Sequence, residues 1–397
     1  MTKNAASARS HRAVRHGHAA RRPRRFLRIF LLCVLAVTLS VGTAVGMLYH
    51  GLQSSITEHQ VESYLTSSER PTVAAPSDQQ AGKPLNILLL GSDVREGAAD
   101  IDGAGAAGEV SGMRSDTAMI MHISANRSRV DIVSIPRDTL VDIPSCTLPN
   151  GKVTSPQYDT MFNAAFAIGG QSDDVGAAAA CTIRTVEKLT NVFIDGFIVV
   201  NFATFKQVVN TLGGVDMCFS EDLHDDAAGL DLSKGCHTLN GDQALAIARA
   251  RKEIGNGSDL QRITRQHQLL EAIAKKVFDM NLASDLPSLY RVLHNVTENL
   301  DTSDGMGDIT FLGGLLYSLR GLKIDDLNFI TMPYGPAADG NRVAPTPEAE
   351  KVWQALAQDK PLPETTDING QSPIINGTEA ELNEFTQSIG STLKEPR

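Results

Sequence analysis

The chain has 397 residues, with 36 Lys and Arg against 46 Asp and Glu, and a net charge of −10. Nine of the basic residues (Lys3, Arg9, Arg12, Arg15, Arg21, Arg22, Arg24, Arg25 and Arg28) lie in residues 1–28, which hold no acid, so the remaining 369 residues carry −19. So acidic a body argues against a nucleic-acid partner, which needs a cationic surface to displace counterions. A hydrophobic content of 42% excludes a wholly disordered chain.

The basic head 1–28 reads as a cytoplasmic tail. It is followed by Ile29–Tyr49, 21 residues without a charge, which is the length of a membrane-spanning helix. The next basic residue is Arg70, so the positive-inside rule places the body outside the cytoplasmic membrane. A cleaved secretory signal would have an apolar stretch of about 7–15 residues and an Ala-x-Ala site. The stretch here is longer and Thr43-Ala44-Val45-Gly46 is a poor site, so a retained anchor is expected.

Cys33 falls inside the span, and Cys146, Cys181, Cys218 and Cys236 fall in the exported body. Four cysteines allow three pairings. Cys146–Cys181 and Cys218–Cys236 are favoured because sequential pairs close the shortest loops. Without a Cys-x-x-Cys pair or a His cluster, a zinc site is disfavoured.

Residues 50–84 are polar and read as a stalk. Leu85–Gly91 is a short apolar run ended by Gly, as in a buried strand. Segment 97–112 is Gly- and Ala-rich and reads as a loop. Thr117–Ser124 and Arg129–Ile135 read as a hairpin. Asp173–Thr190 has a helical period, Val192–Val200 is strand-like, Phe202–Leu212 is helical, and Gly213-Gly214 stops it before a strand over Val215–Phe219. Helices are expected over Asp242–Arg251, Ser258–Phe278, Pro287–Leu300, Ile309–Arg320 and Thr346–Gln358, with a strand over Leu327–Met332. Such alternation predicts an α/β domain over 85–358, a sheet covered by helices. Residues 359–397 read as a loose polar tail.

Phosphate-loop, His-Glu-x-x-His and Gly-x-Ser-x-Gly signatures are absent from the sequence. What remains is Arg and Asp at element ends: Gly91-Ser92-Asp93, Arg114-Ser115-Asp116-Thr117 and Ile135-Pro136-Arg137-Asp138-Thr139. Strand ends in α/β domains are where ligands commonly bind, although any one such residue could equally form a surface ion pair. Ala248-Arg249-Ala250-Arg251 and Ser258-Asp259-Leu260-Gln261-Arg262-Ile263-Thr264-Arg265-Gln266 place four arginines within 17 residues. Asp259, Arg262 and Gln266 make one polar stripe of a helix that Ser258 can cap. Guanidinium forks match phosphate oxygens, and two aspartates able to hold Mg²⁺ beside them suit a pyrophosphate.

In order, LLLGSD, RSDT, VSIPRDT, FNAAFAIGG, FATFKQVVNTLGGVDMC, LNGDQALAIARARK and SDLQRITRQHQLL resemble the LytR-CpsA-Psr family of bacterial cell-wall glycopolymer ligases. The resemblance spans about residues 85–280 and is weaker to about 358. It implies a mixed central sheet flanked by helices around an apolar pocket for a polyprenyl chain. It also implies transfer of a glycosyl phosphate from a polyprenyl-pyrophosphate-linked glycan to a hydroxyl, usually of peptidoglycan, with pyrophosphate hydrolysis as a side activity. By the same resemblance Asp93 and Asp116 bind Mg²⁺, with Mn²⁺ as the other candidate. Arg114, Arg137, Arg249, Arg251, Arg262 and Gln266 hold the pyrophosphate, and Asp93, Asp116 and Arg137 serve catalysis. Ile247 and Ala248 stand where an aromatic is common in the family. A secreted-protein acceptor, a non-catalytic glycan-lipid receptor and a transcription regulator are the competing readings. The last rests only on the basic head, which has no helix-turn-helix pattern.

Overall fold

The computed structural model describes residues 23–53, 56–65, 70–71, 82–92, 113–250, 259–280, 290–292, 294–295, 300–363 and 374–375. Asp93, the segment 97–112, Arg251, Ser258 and most of 359–397 lie outside these. Residues 1–51 and 52–397 form two compact units.

In the first unit, helix α1 (Pro23–Gln53, its last two residues belonging to the second unit) carries the apolar run. Phe30, Leu31, Leu32, Leu35, Leu39 and Met47 are each more than half exposed. Its hydroxyls turn inward: Thr38, Ser40 and Thr43 donate to carbonyls of the preceding turn at 2.8–2.9 Å. Several α1 side chains, Cys33 and Leu48 among them, lie outside the described residues. Counted over the described residues alone, no helix is long and apolar enough to cross a membrane.

The second unit opens with β1 (Thr57–His59), followed by β2 (Leu85–Ser92), β3 (Ser115–Ile123) and β4 (Val130–Ile135). The β3–β4 hairpin turns at Ala125–Ser128, where Arg127 takes a positive φ of 59° and Ser124 Oγ accepts from the amides of Ser128 and Arg129. A small hairpin of β5 (Leu140–Ile143) and β6 (Gln157–Met161) leads to α2 (Ala164–Gly169) and α3 (Val175–Thr190). Asp174 caps α3 through Ala177 N at 2.7 Å. Gly169 permits the close approach of α2 to α3, since a Cβ there would collide with the Ala177 carbonyl oxygen.

Next come β7 (Gly196–Asn201), α4 (Phe202–Thr211), β8 (Val215–Phe219), β9 (Leu223–Asp225), β10 (Leu230–Leu232) and β11 (Gly235–Leu239). Helix α5 (Gly241–Arg249) starts at a capping box of Asn240 and Gln243, and α6 (Asp259–Asp279) follows. The chain continues through β12 (Leu300–Ser303), α7 (Ile309–Ser318), β13 (Leu327–Thr331), β14 (Tyr334–Pro336) and β15 (Val343–Pro345). Helix α8 (Pro347–Ala357) and the short β16 (Ile374–Ile375) complete the described elements.

The main sheet has seven strands in the order β1-β12-β7-β2-β3-β4-β13. It is mixed: β1/β12, β2/β7 and β4/β13 run parallel, and the other pairs antiparallel. On one face Leu88, Ile120 and Val133 pack with Ile183 and Val186 of α3 and Trp353 of α8. On the other, Ile87, Met119 and Ile132 meet Leu270 and Phe278 of α6 and Phe311 and Leu315 of α7. A separate cluster joins Met217 and Phe219 of β8 to Ile247 of α5 and Leu269 of α6. The expected sheet flanked by helices is therefore present.

Both favoured disulfides are formed, Cys146–Cys181 and Cys218–Cys236. Other expectations need correction. The segment read as a stalk supplies β1 and two core residues, Val61 and Leu65; a strand this short has no apolar alternation to betray it. Strand β7 begins only at Gly196, because Val192 and Ile194 are buried in a loop. The helix expected to reach Arg251 stops at Arg249, where Ala250 turns extended. Leu300, expected to end a helix, instead starts β12 opposite Val200. Asp359, expected to begin the tail, accepts from Ala125 N and pairs with His122 and Arg129.

Candidate functional site

The site forms where β2 ends and β3 begins. Ser92 Oγ donates to the Arg114 carbonyl at 2.9 Å, and Ser115 Oγ donates to the Gly91 carbonyl at 3.1 Å, beside a register shift at Gly91/Ser92. These crossed hydroxyl bonds fix the strand ends, and Asp116 is the next residue. Its Oδ1 accepts from Arg137 Nη1 at 2.9 Å, and its carbonyl accepts from Arg262 Nη2 at 3.0 Å. Arg137 extends from the end of β4 and also approaches Asp138 at 3.4 Å. Arg262 is 2% exposed, so its charge acts in a low-dielectric setting where it is felt strongly.

Helices α5 and α6 supply the other wall. Gln266 Nε2 donates to the Ala248 carbonyl at 3.2 Å, and Arg265 Nη2 donates to the Ala250 carbonyl. The guanidinium of Arg249 lies 5.0 Å from the centre of the Phe202 ring, a cation–π contact. Arg265 is buried; desolvation pulls its pKa down and the charge of Asp225 opposes that.

Below these groups lies a cavity of about 450 Å³. Its depth is lined by Leu89, Met119, Phe205, Leu245, Leu269 and Leu270, and its polar end by Asp116, Arg249, Arg262 and Gln266. An apolar chamber with a few convergent polar groups is the usual form of a ligand site. Here it suits an amphiphile with a long apolar chain and an anionic head.

Of the expected site residues, the structure gathers Asp116, Arg137, Arg249, Arg262 and Gln266. Arg114 is exposed and does not line the cavity, while Asp93 and Arg251 lie outside the described residues. Among the described residues no group of three or more His, Cys, Asp or Glu is placed to hold a metal ion. Sequence reasoning missed Phe202 and Asp225 in the cavity wall and the inward role of Arg265. Asp225 carried a signal: it sits two residues after Leu223, so strand periodicity turns both to the same buried face.

Fold and site thus define a mixed α/β protein with an apolar cavity bordered by arginines at its strand ends. Residues 48–358 match the LytR_cpsA_psr family, and the chain belongs to that family. It is 29% identical over 289 residues to the polyisoprenyl-teichoic acid–peptidoglycan teichoic acid transferase TagU of Bacillus licheniformis, covering 73% of this chain and 82% of that one. The fold is similar to a LytR-Csp2A-Psr enzyme from Actinomyces oris, with a TM-score of 0.53 at 21% identity over 76% of this chain and 96% of the other. It is also similar to B. subtilis TagV, with a TM-score of 0.51 at 27% identity over 70% of this chain and 98% of TagV.

Proposed function

We propose that the chain is a phosphotransferase that moves a glycosyl phosphate from a polyprenyl-pyrophosphate-linked glycan to a hydroxyl of peptidoglycan. The observation that carries this reading is the direct junction of an apolar chamber with Arg249, Arg262 and the Arg137–Asp116 pair. The polyprenyl chain occupies the chamber and the pyrophosphate lies against the guanidiniums. The hydroxyl oxygen attacks the sugar-side phosphorus and forms the new P–O bond. The bond to the bridging oxygen breaks, polyprenyl phosphate leaves, and the hydroxyl proton is lost to a base. Catalysis then rests on positioning and charge neutralisation. The name of the TagU relative supports the donor and acceptor classes.

Asp116 fits a divalent metal in donor type, with a carboxylate 44% exposed at the polar end of the cavity. With Asp93 it would hold Mg²⁺ or Mn²⁺, which would supply Lewis-acid neutralisation of the phosphates. The apolar run Ile29–Tyr49 anchors the chain in the cytoplasmic membrane, with the second unit outside; its exposed leucines support this.

The test uses the full chain in lipid nanodiscs with a polyprenyl-pyrophosphate disaccharide and peptidoglycan fragments. Labelled sugar should move to peptidoglycan with release of polyprenyl phosphate, and Asp93→Ala and Arg137→Ala should each abolish it. Full turnover in excess EDTA removes the metal assignment. Tight binding without release indicates a receptor, and label arriving on a secreted protein instead of peptidoglycan indicates a protein acceptor.

A further inference from the structure

Helix α7 has a surface at odds with its position on a water-facing domain. Between Asp308 and Arg320 it carries no charge, and none of its residues is buried. Phe311 and Leu315 pack inward on the sheet. Past the exposed Thr310 of its first turn the outward side is also apolar: Gly313 and Gly314 are exposed, Leu316 is 37% exposed and Tyr317 is 65% exposed. A helix apolar on all sides is normally covered by protein or lipid. At its end the guanidinium of Arg320 lies 3.8 Å from the Tyr317 ring centre, and its Nη1 donates to the Tyr317 carbonyl at 2.7 Å. An amphipathic ring beside a long-stemmed cation is the combination that settles at lipid headgroups, body in the apolar layer and charge in water.

A second observation says which cover is near. The amide of Ile309 donates to Gln53 Oε1 at 3.1 Å, and the Gln53 side-chain amide reaches the Gly307 carbonyl at 3.5 Å. Gln53 comes four residues after Tyr49, the end of the uncharged run. Four extended residues reach at most about 14 Å. Whatever the arrangement of the two units, the first turn of α7 is therefore leashed to the point where the chain leaves the apolar run.

We propose that α7 lies flat in the outer headgroup layer of the membrane that holds α1, with Leu316 and Tyr317 inserted among the lipids. The inference rests on the anchoring reading of 29–49. An interfacial helix of this kind sinks its apolar face about 5–10 Å into the boundary between headgroups and acyl chains. The contact has a use. Met119, Leu89 and Leu270 belong to the cluster on which α7 packs, and the same three side chains line the cavity. An inserted α7 sets the apolar wall of the cavity beside the lipid layer from which a polyprenyl chain must come.

The single tryptophan, Trp353, is buried, so a second one reports cleanly. The full chain carrying Tyr317→Trp is reconstituted in phosphatidylcholine vesicles with shallow-brominated acyl chains. The emission added by residue 317 should shift to the blue and lose most of its intensity to bromine, while aqueous iodide leaves it nearly unchanged. Alkaline extraction of the same vesicles reads the anchor separately. Retention of the chain without bromine quenching overturns the α7 inference and leaves the anchor standing. Extraction of the chain without quenching overturns both. Shielding from iodide without bromine quenching assigns the face to a second protein copy and overturns the inference too. Leu316→Asp should lower transfer from a vesicle-borne donor several-fold and leave transfer from a short-chain donor in solution unchanged.

Discussion

Arg265 donates through Nη2 to the carbonyl of Ala250, the residue between Arg249 and Arg251. A buried guanidinium on α6 thus holds the backbone directly after Arg249, while Gln266 holds it two residues earlier through Ala248. Arg265 is a positioning residue. Its charge is matched by Asp225, itself 1% exposed in the cavity wall.

Arg265→Met keeps the unbranched apolar stem of the side chain and removes the donor. It takes a compensating charge away from Asp225, and breaking such a buried arrangement costs about 3 kcal/mol. Denaturant titration should show that loss. In the fraction that folds, kcat should fall at least tenfold, equivalent to about 1.4 kcal/mol, with a smaller change in KM and partial recovery in Arg265→Lys. An unchanged kcat would remove the positioning role.

His267 gives a pH signature. Its Nε2 is 2.7 Å from Ser134 Oγ, its ring lies against Phe329, and burial lowers its pKa from 6.5 to about 4. Between these values the unfolded chain binds the proton and the folded protein does not. Stability is therefore complete above pH 6.5 and declines as the pH falls toward 4, by about 3 kcal/mol for a shift of this size. His122, lowered by burial in spite of Asp359, acts in the same direction. Urea midpoints at several pH values should slope accordingly, and His267→Gln should flatten the slope. An equal slope in the variant would assign the effect elsewhere.

The cavity makes a prediction about chain length. Ala228 is part of its wall, and Ala228→Trp would fill space that a polyprenyl tail needs. Each displaced methylene forfeits about 0.8 kcal/mol. Transfer from a long-chain donor should fall tenfold or more while a short-chain donor is nearly unaffected. Equal losses for both donors would separate the cavity from tail binding.

The two disulfides close segments with sequence separations of 35 and 18 residues, and each should contribute about 2–4 kcal/mol. Non-reducing mass mapping should recover both cross-linked peptides. Reductant should lower the unfolding midpoint of the intact chain and leave a variant with all four replaced by Ser unmoved.

Much of the molecule is written locally. The β3–β4 hairpin, α3, α4 and α6 follow from periodicity and capping residues. Asp116 and Arg137 were legible as charged groups at element ends, Arg249 as one of four clustered arginines in an acidic chain, and Arg262 and Gln266 as one polar stripe of a helix. What was not legible depends on partners distant in sequence. Thr57–His59 becomes a strand only because β12 lies beside it. Val192 and Ile194 look like strand residues, yet tertiary packing buries them in a loop. Asp225 and Arg265 make sense only together, and no spacing rule links a β-strand residue to a helix so far along the chain.

The attachment of Asp359 has a practical side. The family match ends at residue 358, and the change in composition would invite a cut at the same place and another before Leu85. Excision at those points would leave β12 with an open edge and remove the carboxylate that meets His122, Arg129 and the Ala125 amide. The smallest fragment able to fold independently therefore starts before Thr57 and ends after Asp359, and its limits are set by a backbone ladder and a half-buried carboxylate.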